Sequence, residues 1–330
     1  MISSDVRRAI ARAVAVEGLG PADPGLRPTG TPGQYASSVA FASGEQRNSV
    51  AARLAARLAE ADGIARAEVT GPGFLTVTVP PEALAALPDR IITAGLACAT
   101  SDALRGVRIA APTGGDPLAE TSWEKARAAL AAQLTARLAT AAGATAALSE
   151  DVERTLTSPP PDANPIPLAV AYAGADAVRF SLARAMPGRL VDIDRQIIAR
   201  HVLANPAYAV RYAHARAASG VRWAANSRPT TLGRPAVPRH PLAHQAELML
   251  LDALSWLPER VAIAARRGRP DEFARYLEEL ASAAIAALIC PGYPANARAP
   301  GTDRLAMAKA ARTGLAAGLD LLGVGAPDRL

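Results

Sequence analysis

The sequence predicts a small α+β N-terminal domain, a short α/β segment and an all-α helical bundle at the C-terminal end. A chain of 330 residues is long enough for two or three domains with cores of their own. Residues 74–79 alternate with the period of a half-buried strand, whereas apolar residues beyond position 170 recur at helical spacing. The apolar share of 50% and the charged share of 20% exclude a disordered chain, a collagen-like chain and a disulfide scaffold.

Two helices and a hairpin account for the α+β domain, which we place at residues 1–85. Val6, Ile10 and Val14 recur every four residues and predict a first helix. A second helix is predicted to begin near Asn48 and Ser49 and to end at Gly63. Its buried face would be formed by Val50, Leu54 and Leu58.

Strands are predicted on either side of the turn Gly71-Pro72-Gly73. They span about Ala65 to Thr70 and Phe74 to Val79. A further apolar stretch runs from Tyr35 to Phe41.

The middle segment, residues 86–155, predicts one strand followed by one long helix. The strand covers Val107 to Ala110, and the helix begins with the capping box Thr121-Ser122-Trp123-Glu124. Leu130, Leu134 and Leu138 form its apolar stripe, and Gly143 follows its end.

Three consecutive prolines at 159–161, followed by Pro167, predict an extended linker at residues 156–170. Residues 171–330 form the predicted helical domain. Its predicted helices cover 176–184, 194–203, 205–223, 244–257, 259–266, 271–289 and 303–322, with a loop from Asn226 to Pro241.

The cysteines and histidines predict no metal site. Cys98 and Cys290 lie far apart among apolar or small residues, which is typical of buried, reduced thiols. His240 and His244 have helical i, i+4 spacing, but Pro241 lies between them and no third ligand is evident. Without a signal peptide pattern or a long apolar run, we expect a cytoplasmic protein that contacts no membrane.

Positive charge is concentrated in the second half of the chain. Residues 1–170 carry 15 basic and 17 acidic side chains, whereas residues 171–330 carry 21 and 13. The stretch from Arg195 to Ala246 holds eight arginines, all four histidines and no acidic residue. Such a segment favours an anionic partner such as nucleic acid, although a codon bias toward arginine would produce part of the same excess.

One run in this basic stretch resembles a known family. The residues Asn205-Pro206-Ala207-Tyr208-Ala209-Val210-Arg211-Tyr212-Ala213-His214-Ala215-Arg216 resemble the helix that opens the anticodon-binding (DALR-type) domain of arginyl-tRNA synthetases. The flanking segments 176–180, 191–194, 276–281 and 318–327 are similar to the same domain. Arg211 stands where the family usually has Gln, and Ala209 where it usually has an aromatic residue.

The N-terminal unit is similar to the additional domain of that family, which binds the tRNA elbow. The resemblance rests on Gln34-Tyr35-Ala36-Ser37-Ser38-Val39-Ala40 and on Gly71-Pro72-Gly73-Phe74-Leu75. Thr76 stands where the family usually has Asn.

Two motifs of the family's catalytic domain have no counterpart in this sequence. A HIGH-type motif needs histidines, but the first histidine is His201; a KMSK-type loop needs a lysine, but none lies between Lys125 and Lys309. Arg108 to Gly143 looks like a remnant of the first strand and helix of that domain. We therefore expect no catalytic residue, no cofactor and no arginine activation.

The candidate residues are those suited to bind RNA. Tyr208 and Tyr212 share a helix face near arginines, an arrangement that suits unstacked bases, and we expect one of the two to be in the core. The arginines would contact phosphates, or else form ion pairs with Asp192 and Asp194. The full set is Tyr208, Arg211, Tyr212, Arg216, Arg222, Trp223, Arg195 and Arg200, with Phe74, Tyr35 and Leu330 added by the resemblance.

Acidic residues receive structural roles in this interpretation. We expect Asp176 to cap a helix, and the pairs Asp271-Glu272 and Glu278-Glu279 to be solvated helix charges.

The leading hypothesis is a non-catalytic arginyl-tRNA synthetase-like protein that binds tRNA, either tRNA-Arg or another tRNA. The first alternative is a regulatory or assembly subunit that contacts a protein partner through the former RNA surface. The second alternative is a non-catalytic subunit of a split aminoacyl-tRNA synthetase. The departures at Thr76, Ala209 and Arg211 motivate the first alternative.

Overall fold

The fold is taken from a computed structural model, which describes residues 2–20, 22–112, 114–149, 166–226, 245–289 and 302–330. The helices are α1 (Ile2–Val16), α2 (Arg47–Ala59), α3 (Pro81–Ala85), α4 (Leu87–Ala94), α5 (Trp123–Ala141), α6 (Ile166–Ala173), α7 (Ala175–Arg184), α8 (Arg195–Ile198), α9 (Pro206–Asn226), α10 (Gln245–Ser255), α11 (Leu257–Arg267), α12 (Pro270–Ile289) and α13 (Thr302–Leu321). The strands are β1 (Arg27–Pro28), β2 (Gln34–Ser37), β3 (Arg66–Thr70), β4 (Phe74–Thr78), β5 (Arg108–Pro112) and β6 (Thr145–Ser149).

The N-terminal unit is an antiparallel sheet covered by helices. The predicted hairpin forms its strands β3 and β4, whereas β1 and β2 were not predicted. The strand order is β1-β2-β4-β3, and α2 packs on β3 and β4. The predicted apolar positions of α1 and α2 are buried, because their spacing directs them to one face. Gly73 turns the β3–β4 hairpin at φ 104°, and a side chain there would meet Asn48 and Arg47 at 3.1 Å.

The middle segment is a βαβ unit. β5 and β6 pair in parallel, and α5 connects them. Leu130, Leu134 and Leu138 of α5 are buried as predicted. The predicted capping box is not formed: Ser122 holds the N-cap position without a bond to a backbone N–H, and its Oγ donates to Glu124 Oε2 at 3.2 Å.

The C-terminal part is a helical bundle in which α9 packs against α12 and α13. Helix α8 is shorter than the predicted helix 194–203. Asn205 explains why, because its Nδ2 donates to the carbonyl oxygens of Ile198 and Arg200, both at 2.8 Å, at the end of that helix. Helices α3 and α4 were not predicted from the sequence. Their Pro81 and Pro88 lie in first turns, where proline is tolerated.

The predicted linker is partly wrong. Its last residues belong to α6, which begins at Ile166 and carries Pro167 in its first turn. The prolines at 159–161, most of the loop from Asn226 to Pro241, His240, His244 and Cys290 lie outside the described residues. The predicted domain boundaries stay a prediction.

Cys98 is a free, buried thiol, as predicted. Burial raises its pKa to about 11, so the neutral form is favoured at neutral pH. In the part of the chain that the structure describes, no helix combines the length and apolar character needed to span a bilayer.

The N-terminal unit is fastened to α10 and α11 by buried polar contacts. Ser3 Oγ donates to the carbonyl oxygen of Ser255 at 2.6 Å. Arg7 forms a buried ion pair with Glu259 and a second one with Asp23 at 2.9 Å. These contacts join residues up to 252 positions apart in the sequence and fix the sheet against the bundle.

Candidate RNA-binding surface

The candidate surface is the outer face of α9. Tyr208, Tyr212, Arg216, Ser219 and Trp223 fall on this face, because their spacings of four and three residues follow the helical period. All five side chains are half-buried or exposed. The opposite face packs against the bundle through Ala207, Val210, Ala213, His214 and Ala217.

Three aromatic rings are stacked at the start of this face, and we call them the aromatic ladder: His201, Tyr208 and Tyr212. The ring centroids of His201 and Tyr208 are 5.2 Å apart with an interplanar angle of 13°. Those of Tyr208 and Tyr212 are 5.7 Å apart at 22°. Such a stack offers π-faces and edges to an unstacked nucleobase.

Neither tyrosine of the ladder is buried, so the expectation that one belongs to the core is wrong. Residues 207 and 210 take the inward positions beside them. Sequence reasoning missed His201, because it precedes α9 and no helical period links it to the tyrosines; a histidine a few residues before the Asn205-Pro206 helix start is its only signal.

Arg200 and Arg216 carry exposed guanidinium groups close to the ladder in sequence. Within the described ranges, neither has a carboxylate partner. The predicted alternative of ion pairs to Asp192 and Asp194 therefore does not hold for these two side chains. Asp194 instead caps α8 by accepting the Gln196 N–H at 2.7 Å.

Arg195 lies at the beginning of α8. Its guanidinium carbon is 5.9 Å from the centroid of the Tyr172 ring, which is 59% exposed. With Arg200 and Arg216, Arg195 is therefore the third cationic side chain close in sequence to the aromatic ladder.

Arg211 and Arg222 contact the protein itself. Arg211 forms an ion pair with Asp176 at 3.4 Å, and Arg222 Nη1 donates to the Asp328 carbonyl oxygen at 2.8 Å. The predicted capping role of Asp176 is wrong: Gly174 holds the N-cap position, and the Asp176 carboxylate accepts the Gly325 N–H at 3.1 Å.

The segment from Gly323 to Leu330 is tied to α7, α9 and α13. Arg179 Nη1 donates to the Gly323 carbonyl oxygen at 3.0 Å, and Arg312 pairs with Asp328 at 2.9 Å. The buried His214 donates from Nδ1 to the Pro327 carbonyl oxygen at 2.9 Å. These bonds hold the segment in place, and the Leu330 side chain is 53% exposed at its end.

A second aromatic surface lies on the N-terminal unit. The half-buried Phe74 contacts Phe41 with a centroid distance of 4.7 Å, and Arg47 lies 5.6 Å from the centroid of Phe41. Sequence analysis singled out Phe74 but missed Phe41 and Arg47. Thr76 is 8% exposed and its hydroxyl is 2.9 Å from that of Thr70, so it turns inward beside this surface.

Tyr35 is a correction to the predicted RNA-binding set. Its side chain is fully buried, its hydroxyl lies 2.8 Å from Ser255 Oγ, and its ring lies 4.9 Å from that of Trp256. Burial raises the pKa of its hydroxyl, which stays protonated. Tyr35 therefore joins the two parts of the chain and is not accessible to RNA.

The carboxylates of α12 form ion pairs. Asp271 is 1% exposed and pairs with Arg269 at 2.8 Å and Arg275 at 2.9 Å, so its prediction as a solvated charge is wrong. Glu278 pairs with Arg184 at 2.6 Å. Among the described residues, no group of three or more His, Cys, Asp or Glu side chains is arranged to hold a metal ion.

Comparison with known proteins identifies the C-terminal part. Residues 210–330 match the DALR anticodon binding domain. The arginine–tRNA ligase of Frankia alni is 38% identical over 165 residues, and that of Kineococcus radiotolerans is 37% identical over 169 residues. The resemblance predicted for the C-terminal half is confirmed.

Each of these alignments covers 48% of this chain but only 29% of the ligase, so the matched stretch is less than a third of the length of these relatives. The arginyl-tRNA synthetase structure of Thermus thermophilus superposes with a TM-score of 0.73 at 15% identity, over 100% of both chains. The fold is therefore similar to that of this arginyl-tRNA synthetase structure.

Proposed function

We propose that this chain is a non-catalytic relative of arginyl-tRNA synthetase that binds tRNA through the outer face of α9. The single observation that carries this proposal is the aromatic ladder continuing along one helix face into the unpaired Arg216. Its DALR anticodon binding domain supports tRNA as the partner.

Binding would combine stacking with phosphate contacts. Tyr208, Tyr212 and Trp223 offer rings to loop bases, and each base–aromatic stack contributes about 1–3 kcal/mol. Arg200 and Arg216 need no break of an ion pair before they contact a phosphate. Arg211 and Arg222, by contrast, are already bonded to Asp176 and to the Asp328 carbonyl oxygen. Their role is to hold neighbouring segments in place beside α9.

The N-terminal unit would supply a second RNA contact. Phe74, Phe41 and Arg47 place two rings and a cation together, a combination that suits an unstacked base and its phosphate. The resemblance of this unit to the additional domain of the synthetases supports the tRNA elbow as the target of this contact.

The absence of activation follows from the chemistry that class I synthetases need. Their histidines and lysine stabilise charge on the phosphates of ATP, and this sequence has no histidine before His201 and no lysine between Lys125 and Lys309. We therefore expect no arginine-dependent exchange of pyrophosphate into ATP by this chain, with or without tRNA.

A contact with a protein is the second candidate. Several large apolar side chains between residues 168 and 203 are exposed, including Leu168 (47%), Leu190 (88%) and Ile197 (52%), which a surface specialised for RNA does not require. If this face binds a catalytic subunit, pyrophosphate exchange should appear only when the two chains are mixed.

The deciding experiment measures binding of bulk tRNA by filter retention at two salt concentrations, with duplex DNA as control. We expect micromolar or tighter tRNA binding that weakens with salt and exceeds DNA binding. Arg216→Glu should weaken it, whereas Arg105→Glu, on an exposed loop outside the bundle, should not. Equal binding to DNA, or a flat salt response, contradicts the proposal.

A further inference from the structure

A cleft of about 370 Å³ lies between the N-terminal unit and α11. We call it the inter-unit cleft. Its cationic lining residues are Arg27, Arg260, Arg266 and Arg267, and its acidic ones are Asp23, Glu259 and Glu272. Ligand sites are common at such junctions, because both parts contribute groups to one space.

The acidic groups of the cleft are already neutralised. Asp23 pairs with Arg7 and with Arg266, and Glu259 pairs with Arg7. Burial raises the pKa of Asp23, but the combined attraction of Arg7 and Arg266 and the Gly25 N–H bond hold it below its ordinary value.

Glu272 is neutralised in the same way. It pairs with Arg267 at 3.1 Å and with Arg269 at 3.8 Å. Each carboxylate that lines the cleft thus has a cationic partner, which weakens its repulsion of an anion.

Two guanidinium groups of the cleft have no acidic partner in the described part of the chain. Arg27 lies exposed on β1, the edge strand of the sheet. Arg260 is held by rings, 6.0 Å from the centroid of Trp256 and 5.6 Å from that of Tyr276, and its buried Nε has no hydrogen-bond acceptor. The Asp252 carboxylate attracts Arg260 but forms no direct ion pair with it. A part-buried guanidinium without a direct ion pair favours an anionic ligand.

We propose that the inter-unit cleft binds a phosphate group, with Arg27 contacting it from the sheet edge and Arg260 from α11. The inference rests on the proposed function in its choice of source, which is the RNA backbone. The shared chemistry also fits the phosphate of a free nucleotide, so the test separates the two sources.

The test compares Arg27→Ala with Arg66→Ala. Arg66 is an exposed arginine on β3, the opposite edge of the same sheet, and it pairs with Glu68. We expect Arg27→Ala to weaken tRNA binding about 3- to 10-fold and to lower the slope of log affinity against log salt by about 0.7–0.9, whereas Arg66→Ala changes neither.

A second arm uses inorganic pyrophosphate as the probe. Its binding is followed by the line width of the phosphorus NMR signal on adding the wild-type chain, Arg27→Ala or Arg66→Ala. Broadening that Arg27→Ala alone abolishes, with tRNA affinity unchanged, supports the cleft and assigns it to a free phosphorylated ligand. If Arg27→Ala alters neither tRNA affinity nor the pyrophosphate signal, the inference is overturned.

The arms also separate this inference from the proposed function. Suppose that Arg216→Ala weakens tRNA binding and Arg27→Ala has no effect in either arm. This result overturns phosphate binding in the inter-unit cleft and supports tRNA binding on the outer face of α9. The reverse result supports the cleft and removes the α9 surface as the RNA site.

Discussion

Tyr212 closes the aromatic ladder on the side of Arg216, where a nucleobase would extend the stack. We predict that Tyr212→Ala weakens tRNA binding about 5- to 150-fold, because losing one base–aromatic stack costs about 1–3 kcal/mol. Tyr212→Phe keeps the ring and should bind within about twofold of the wild type. Fluorescence titration with labelled tRNA measures both variants, and equal affinities of Tyr212→Ala and wild type contradict the role of the ladder.

His214 makes stability sensitive to pH. Burial lowers its pKa below the ordinary value of 6.5, and the bond to Pro327 does not offset this effect. The unfolded chain therefore takes up a proton at a higher pH than the folded chain, and stability is lost as pH falls below 6.5.

We predict that the melting temperature of the wild type is lower at about pH 5.5 than at about pH 7.5. The melting temperature of His214→Asn should decrease less over the same pH range. The Asn side chain can still donate a hydrogen bond in place of Nδ1. Parallel curves for the two proteins contradict this role of His214.

The helical period correctly predicted which residues share a face of α9, but not which of them are buried, and burial by a distant contact was not predicted. The spacing of Tyr208 and Tyr212 placed both rings on one face, whereas nothing near Tyr35 reveals that Ser255 and Trp256 bury it. Arg211 has a helix-surface position, but its ion pair with Asp176 depends on how α7 packs beside α9.

Helix α9 and the loop that precedes it each carry an exposed arginine without a carboxylate partner in the described part of the chain. Arg200 and Arg216 have no carboxylate partner within the described ranges, so under the proposed function each would contribute a separate phosphate contact. We predict that each Arg→Ala change lowers the slope of log affinity against log salt by about 0.7–0.9. The measurement is a salt series of tRNA titrations with Arg105→Ala as control, and slopes equal to that of the wild type contradict the prediction.

At the scale of elements, apolar periodicity predicted α1, α2, α5 and the long helices of the bundle, because each has one buried stripe. Element ends were less predictable. Asn205 ends α8 through side-chain bonds to carbonyl groups, and proline in a first turn hides the start of α4 and α6. Local sequence signals do not distinguish such prolines from linker prolines.

For the whole molecule, the buried pair of Arg7 and Glu259 fixes the N-terminal unit on the bundle. We predict that Glu259→Gln lowers the free energy of unfolding by about 1.5–3 kcal/mol, because the buried Arg7 guanidinium loses its buried counter-charge and keeps only the more exposed Asp23. Urea unfolding followed by circular dichroism measures the loss. Glu68→Gln removes only an exposed pair on the same unit and should change stability little; equal effects of the two variants contradict this account.

The sequence predicted strands near the N-terminal end and a helical bundle at the C-terminal end, but not how these parts contact each other. The contacts of Ser3 with Ser255 and of Arg7 with Glu259 each span 252 positions, so no local pattern indicates them. The inter-unit cleft forms where these two parts are in contact, so the sequence did not predict it either.

The most direct test of the central claim is ultraviolet cross-linking of tRNA to the intact chain, with the modified peptides identified by mass spectrometry. The account predicts cross-links on α9 at Tyr208, Tyr212 or Trp223, which excess unlabelled tRNA suppresses and excess duplex DNA does not. Cross-links confined to peptides outside α9 and its preceding loop, under conditions where tRNA is bound, would contradict it.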